Sequence, residues 1–493
     1  MADNARTDVA KLLSGSLLAK VFGLAATMVF ARLLTKDQMA VFPAFLMLAG
    51  VPNLILTFGI LSTFTREIPS LMRSDFQRAR GMILTGSVVI FVGTILPSIA
   101  AYLFSDQVAM FAFRTTSLAW AVKIMVPGFM AFVVARIVEY VMWATGEFGA
   151  TSKVQVVDSV VRPTTTLALY FLLGFKGIVI GLVIAQFVTM AVGVYCLRHL
   201  FRGGWPPAYS VRQLISESMP YYIGNYISFL RGDGDTLLVA TFLGPAALAE
   251  YYVAKNLYAN VILVQSSVDK VVLERLARFV RTPEFSDKVR QANTQISQIA
   301  IPFVLLAIAV APNALRILAG PHYGEATWPA IILLVAAMVQ FVAIPIDRAV
   351  FLSLPGYLRV AYSVCEAIGV TTAAVTLIPL IGLSGMSFAR IIAPVGVYAF
   401  GLMLLRRRLK LTLSFEAALI SLATSLPGTV LVLAEIPLAG RLLPAIGLTL
   451  AGMALWSVLF CILTYAINRR AYLTARRVGA DYWRKYFPAR AEA

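Results

Sequence analysis

The chain has 493 residues, 59% hydrophobic and 13% charged, with a mean hydropathy of +0.82 and a formal net charge of +18. A water-soluble protein of this length needs far more polar surface to cover its core, so the composition excludes a soluble fold. Most basic residues sit in gaps between apolar runs, which argues against nucleic acid as the partner of the positive charge.

In chain order, the N-terminus is short and polar, and the first apolar run, from Leu12 to Leu34, holds one charge, Lys20, before Arg32. It is too long for a signal peptide and has no evident small-residue cleavage site, so it is expected to stay as the first span. Spans are predicted over 12–34, 41–64, 81–104, 118–142, 156–174, 177–197, 216–243, 248–272, 293–319, 328–352, 358–381, 384–406, 415–435 and 441–467. Segments of about 20 residues at about 1.5 Å each cover the roughly 30 Å of a hydrocarbon core. They must be helices, because lipid offers no partner to a backbone N–H or C=O, and the short alternating segments of a β-barrel are absent. The fold class is therefore all-α, a polytopic membrane protein of about fourteen transmembrane helices. No gap exceeds about 20 residues, which leaves no room for a soluble catalytic domain on either side.

Lys and Arg are distributed unequally between the two sides. The N-terminus, every second gap and the tail carry about 27 of them, against about 6 at the alternate gaps. The basic set includes Arg66, Arg73, Arg78 and Arg80, the run Arg406, Arg407, Arg408 and Lys410, and seven residues from Arg469 to Arg490. Both termini are thus expected in the cytoplasm, with the protein in the inner membrane and an even number of spans. The tail 468–493 interleaves arginines with Tyr472, Tyr482, Trp483, Tyr486 and Phe487, a composition suited either to an anionic membrane surface or to a disordered basic end. Cys196, Cys365 and Cys461 lie far apart inside apolar runs and read as packing residues; no metal or cofactor is expected.

The first half repeats weakly in the second. Ala31-Arg-Leu-Leu-Thr-Lys-Asp-Gln-Met-Ala40-Val-Phe42 joins spans one and two, and Ala240-Thr-Phe-Leu-Gly-Pro-Ala-Ala-Leu-Ala249-Glu-Tyr251 joins spans seven and eight. The offset is about 209 residues, or six spans, so both repeats enter the membrane from the same side. The expected organisation is a six-helix lobe over 1–197, a cytoplasmic linker over 198–215 acting as a hinge, a second six-helix lobe over 216–406, extra helices thirteen and fourteen over 407–467, and the tail 468–493.

On these residues the chain resembles a known family. The opening Leu12-Leu-Ser-Gly-Ser with Ala31-Arg-Leu-Leu-Thr, the stretch Asp235-Thr-Leu-Leu-Val-Ala-Thr-Phe-Leu-Gly244, and Gly382-Leu-Ser-Gly385-Met-Ser-Phe-Ala389 are similar to the polysaccharide transporter (Wzx-type flippase) family. That family belongs to the multidrug/oligosaccharidyl-lipid/polysaccharide exporter superfamily. The resemblance implies two six-helix lobes in pseudo-two-fold relation around a cationic cavity. It implies nucleotide-free alternating access, and flipping of an undecaprenyl-diphosphate-linked oligosaccharide from the cytoplasmic to the periplasmic leaflet. A polysaccharide polymerase and a chain-length regulator are the partners it implies.

Charges inside apolar spans are costly and mark functional interiors. Span seven carries Leu230-Arg231-Gly232-Asp233-Gly234-Asp235, where Arg231 and Asp235 share a helix face and two glycines loosen the backbone. Arg231, Lys20, Lys255, Arg136 and Arg390 are candidates to bind an anionic headgroup across a cavity between the lobes. Asp233 and Asp235, with Glu366, are candidates to carry coupling protons or sodium. Arg136 and Glu139 are spaced to pair; Arg32 reads as an interfacial anchor. Lys123, Arg162, Asp347 and Arg348 are expected only to snorkel from span ends. The alternatives are a multidrug or small-molecule antiporter of the same superfamily and, further off, a membrane glycosyltransferase or polysaccharide polymerase. No phosphate-cradling GxxxxGK[ST] loop supports an ATP-driven pump.

Overall fold

The computed structural model describes residues 19, 22–57, 59–202, 206–232, 234–280, 282–409, 411, 413, 415–434 and 442–467. Its secondary structure, among the described residues, is helical with no strand. The basic tail, Lys20 and Asp233 lie outside the described residues. The helices are α1 (Phe22–Leu33), α2 (Lys36–Met39), α3 (Val41–Leu56), α4 (Ile60–Ser74), α5 (Phe76–Leu103), α6 (Ser105–Phe113), α7 (Ala119–Thr145), α8 (Phe148–Leu173) and α9 (Phe175–Leu197). There follow α10 (Val211–Gly232), α11 (Gly234–Leu243), α12 (Pro245–Ala277), α13 (Phe285–Ala319), α14 (Thr327–Ser353), α15 (Gly356–Ile381), α16 (Leu383–Leu409), α17 (Glu416–Ala434) and α18 (Leu442–Ile467).

Helix occupies the described part of each predicted span. Among the described residues, ten helices are by themselves long and apolar enough to cross a membrane. Span one is described as helix only from Phe22, span two is broken at Gly59 between α3 and α4, and span seven is covered by the polar α10 and the short α11. Span eight, α12, falls short because Lys255, Asn256, Asn260 and Gln265 dilute its apolar stretch. Leu96, Leu103, Phe171, Leu172 and Leu380 are each at least 70% exposed, the outward apolar coat that lipid demands.

The chain divides into two compact units, Met1–Tyr252 and Val253–Ala493. In the first, α7 is the central post, packed against α4, α5 and α9, and α8 lies along α9. Ile60, Phe64 and Ile68 of α4, Met82 and Ile90 of α5, and Val133, Val141 and Met142 of α7 form its core. Leu200, Tyr209 and Leu214, from the segment foreseen as a hinge, join the same core. Tyr209 donates its backbone N–H to Thr85 Oγ1 (3.2 Å) and its hydroxyl to Glu217 (3.1 Å). Burial pushes that hydroxyl above the ordinary phenol range. The described second half of the segment is therefore anchored to α5 and α10.

In the second unit α13 packs with α14, α17 and α18, while α16 packs with α14 and α15. The helices beyond the repeat are fixed through Thr429, which donates to the Leu305 carbonyl (3.2 Å) and accepts from Trp456 Nε1 (3.0 Å).

The repeat is visible in the packing. The pairs α8–α9 and α15–α16 are closely packed mates in their own units. Each pair turns on a glycine in nearly the same backbone conformation: Gly174 at φ 61°, ψ −140° and Gly382 at φ 60°, ψ −137°. A positive φ is open to glycine at no steric cost. Three residues on, Gly177 and Gly385 bond back to Gly174 and Gly382 and lie against the carbonyls of Leu169 and Leu377, where a Cβ would overlap backbone. Gly177→Ala and Gly385→Ala are each expected to cost about 2 kcal/mol, read as a lowered melting temperature of the detergent-purified protein. Gly149→Ala, whose Cβ meets nothing within 4 Å, serves as control and should not lower it. Unchanged melting for both repeat glycines would show that the helix hairpins are less tight than described here.

Candidate functional site

In span seven Arg231 lies in the last turn of α10 and Asp235 at the start of α11, on either side of Asp233. The side chain of Arg231 lies outside the described residues, as do Asp233 and Lys20 as a whole. Asp235 is 1% exposed; its carboxylate accepts from the Thr236 N–H (2.6 Å) and the Tyr251 hydroxyl (2.7 Å). Next to Tyr251, the buried Glu250 pairs with Lys36 of the turn between spans one and two. The two repeat-related turns read from the sequence are thus joined by an ion pair within the first unit. The one-turn helix α2 that presents Lys36 is fixed by a reciprocal cap between Thr35 and Gln38.

A polar seam ties α10 to α4. Thr63 Oγ1 donates to Ser218 Oγ (2.8 Å), Ser62 Oγ to Asn225 Oδ1 (3.1 Å), and Arg66 to the Tyr221 hydroxyl. Gly59, at φ 77° in the break of span two, lets the chain pass the backbone of Ser218 and Tyr222.

A further polar constellation lines a partly open cavity of about 240 Å³ between α7, α8 and α9 in the first unit. Arg136 and Glu139 pair at a three-residue spacing on α7. On α8, Arg162 Nη2 donates to both oxygens of Asp158 (2.7 and 2.8 Å). Thr189 of α9 donates to the same carboxylate (3.0 Å). Gln186, one turn before Thr189, is 2% exposed, and its Nε2 has no hydrogen-bond partner. Phe132, Ala135, Met142 and Val154 supply apolar wall.

This cavity corrects one expectation. Arg162 does not snorkel: α8 begins at Phe148, well before the predicted start of span five, so Arg162 sits mid-helix and is tied to Asp158. The spacing of Asp158 and Arg162 was the available sequence signal. Arg348 likewise pairs across helices, with Asp269 of α12 (2.7 Å), instead of reaching for a surface. Lys123 lies 5.8 Å from the Tyr102 ring centroid.

In the second unit, Arg390 of α16 is 6% exposed and lies 5.7 Å from the ring centroid of Tyr258 on α12. The Tyr258 hydroxyl donates to Gln340 of α14 (3.2 Å). Lys255, half-buried, shares the α12 face of Tyr258, and Glu366 of α15 is buried. Of the predicted cations, the structure thus brings Arg136 into the first-unit cavity and sets Lys255 and Arg390 beside Tyr258. Among the described residues, no group of three or more His, Cys, Asp or Glu is placed to hold a metal ion.

Comparison with known proteins agrees with this architecture. The fold is similar to that of the lipid II flippase MurJ in an inward closed conformation (TM-score 0.73, 14% identity, 92% of this chain and 99% of that chain covered). It is also similar to an inward-facing multidrug resistance MATE family transporter of the MOP superfamily (TM-score 0.66, 13% identity, 80% and 96% covered). A third similar structure is a MOP superfamily transporter from Pyrococcus furiosus (TM-score 0.57, 13% identity, 83% and 96% covered). No curated protein matches the chain. The family model described as polysaccharide biosynthesis protein matches residues 29–327, and the chain, a multi-pass membrane protein, belongs to that family.

Proposed function

We propose that the protein flips an undecaprenyl-diphosphate-linked oligosaccharide from the cytoplasmic to the periplasmic leaflet of the inner membrane, by alternating access, during exopolysaccharide, capsule or O-antigen synthesis. The observation that carries the reading is the departure of spans two and eight from plain apolar helix. Span two is interrupted at Gly59, span eight carries Lys255 among polar side chains, and the two are repeat mates. Interrupted or polar spans at corresponding places in two halves point to the binding site of a transporter. The family is one of polysaccharide biosynthesis, which supports a glycan as cargo.

The chemistry fits. A lipid-linked diphosphate carries at least two negative charges, and moving it through hydrocarbon unaided costs many kcal/mol. Guanidinium and ammonium groups replace its lost hydration, arginine with forked donors matched to phosphate. Arg231, Lys20, Lys255 and Arg390 are assigned to the headgroup, and Arg136 to the attached glycan. Asp233 and Asp235 are assigned to ion coupling, and both termini to the cytoplasm on the strength of the basic loops. The protein acts as a carrier and not as an enzyme, upstream of a polymerase and a chain-length regulator.

In a strain lacking the protein, lipid-linked repeat units should accumulate on the inner leaflet, measured by lipid extraction and mass spectrometry. A deletion strain with no such accumulation but lowered resistance to cationic drugs would favour an antiporter instead. Arg231→Ala should abolish glycan export while the protein remains inserted at its normal level. Normal surface polysaccharide in that variant would remove Arg231 from the headgroup site.

A further inference from the structure

We infer that the cavity between α7, α8 and α9 is a subsite for one uncharged sugar residue of the transported glycan, a reading that rests on the proposed flippase function. Four features of the cavity lead there. Its charges cancel in pairs, Arg136 with Glu139 and Arg162 with Asp158. A small anion entering would meet both carboxylates, and a small cation both guanidinium groups, so neither gains from the move out of water. A neutral occupant with both donors and acceptors meets no such conflict, and a hydroxyl is both.

The second feature is Gln186. Its amide is almost wholly buried, lines the cavity and leaves Nε2 without an acceptor. A buried donor left unmade costs about 1–3 kcal/mol. The wall therefore offers a donor waiting for a ligand oxygen, beside carboxylates able to accept from ligand hydroxyls.

Third, the lining is two-faced. Against the polar groups stand apolar side chains such as Phe132 and Met142. A pyranose has the same division, with C–H faces and a hydroxyl rim. The fourth feature is size. The cavity, about 240 Å³, equals roughly eight water volumes, the scale of a monosaccharide and below the roughly 300–1,000 Å³ of drug-sized pockets. On α7 and α8 its polar residues, apart from Arg162 at mid-helix, lie in the half nearer the turn at Gly146, the cytoplasmic half in the proposed orientation, where a newly made glycan would arrive.

The test is saturation-transfer NMR on the full chain in lipid nanodiscs. Methyl β-glucopyranoside and N-acetylglucosamine are the uncharged probes, and glucuronate and inorganic pyrophosphate the charged ones. Transfer to the ring protons of at least one uncharged probe is expected at millimolar concentration, with glucuronate transfer at least fivefold weaker and no line broadening of the pyrophosphate phosphorus signal. Gln186→Leu, which keeps the volume and deletes the donor, should weaken the uncharged signal at least fivefold. Ala135→Phe, which fills the cavity from its apolar wall and leaves both ion pairs in place, should abolish it, so a folding failure of either variant leaves the other to decide. No transfer from either uncharged probe, the mark of a cavity holding water alone, overturns the inference. So does transfer unchanged in the variants, or binding of the charged probes as strong as that of the neutral ones. Sugar binding in the nanodisc without accumulation of lipid-linked units in the deletion strain would uphold the subsite and overturn the flippase reading; accumulation without binding would do the reverse.

Discussion

A charge held at membrane depth has to be met by protein or water, and this requirement organises the helices of both units. Asp158 is met by Arg162 of its own helix and by Thr189 of the next, so it fixes α8 against α9. Arg348 reaches from α14 to Asp269 of α12. Lys36 and Glu250 join two turns far apart in sequence but equivalent in the repeat. Apolar packing in lipid offers little to choose between neighbouring registers, since acyl chains are as apolar as leucine. Each polar contact removes that ambiguity. Buried pairs of this kind need not add much stability, because desolvation offsets much of their attraction. Their effect is to define which faces meet.

The span pattern was legible because hydrophobicity at this length has one interpretation in a chain with no room for a soluble domain. The repeat was legible from two short turns, and the backbone strengthens it through a pair of hairpins that the sequence comparison did not use, Gly174–Gly177 and Gly382–Gly385. Only the second of these stood out in the sequence, because the glycines of the first lie in Gly174-Phe-Lys-Gly177 and those of the second in Gly382-Leu-Ser-Gly385, with no shared side chain between them. What repeats is a backbone conformation, and conformation leaves a trace in sequence only where glycine is required.

The cavity was less legible for a different reason. Thr151, Ser152, Lys153 and Gln155 look like the polar approach to a span, and hydropathy placed the start of span five after them. They belong to α8, and Thr151 and Gln155 face the interior of the unit. A polar residue facing a protein interior and one facing water read the same in a one-dimensional average. The break in span two was hidden in the opposite way: Gly59 sits among Leu, Phe and Ile, so its left-handed conformation interrupts the helix without interrupting the apolar run.

The two kinds of polar interior place different demands on a cargo. In the α7–α9 cavity each guanidinium is already opposed by a carboxylate one helical turn away, so its electrostatic balance is complete before any ligand arrives. Such a site can recognise hydroxyl patterns, but it cannot compensate a diphosphate. Compensation of that charge falls, in the proposed assignment, to cations of spans one, seven, eight and twelve. A lipid-linked oligosaccharide has the same separation along its own length, with the anionic group next to the prenyl chain and the neutral sugars beyond it. Under the proposed function, dividing recognition between a balanced cavity and a cationic group elsewhere would let the protein hold the glycan without strengthening its grip on the diphosphate. A transporter must also let its cargo go, so keeping those two affinities independent allows each to stay weak enough for release.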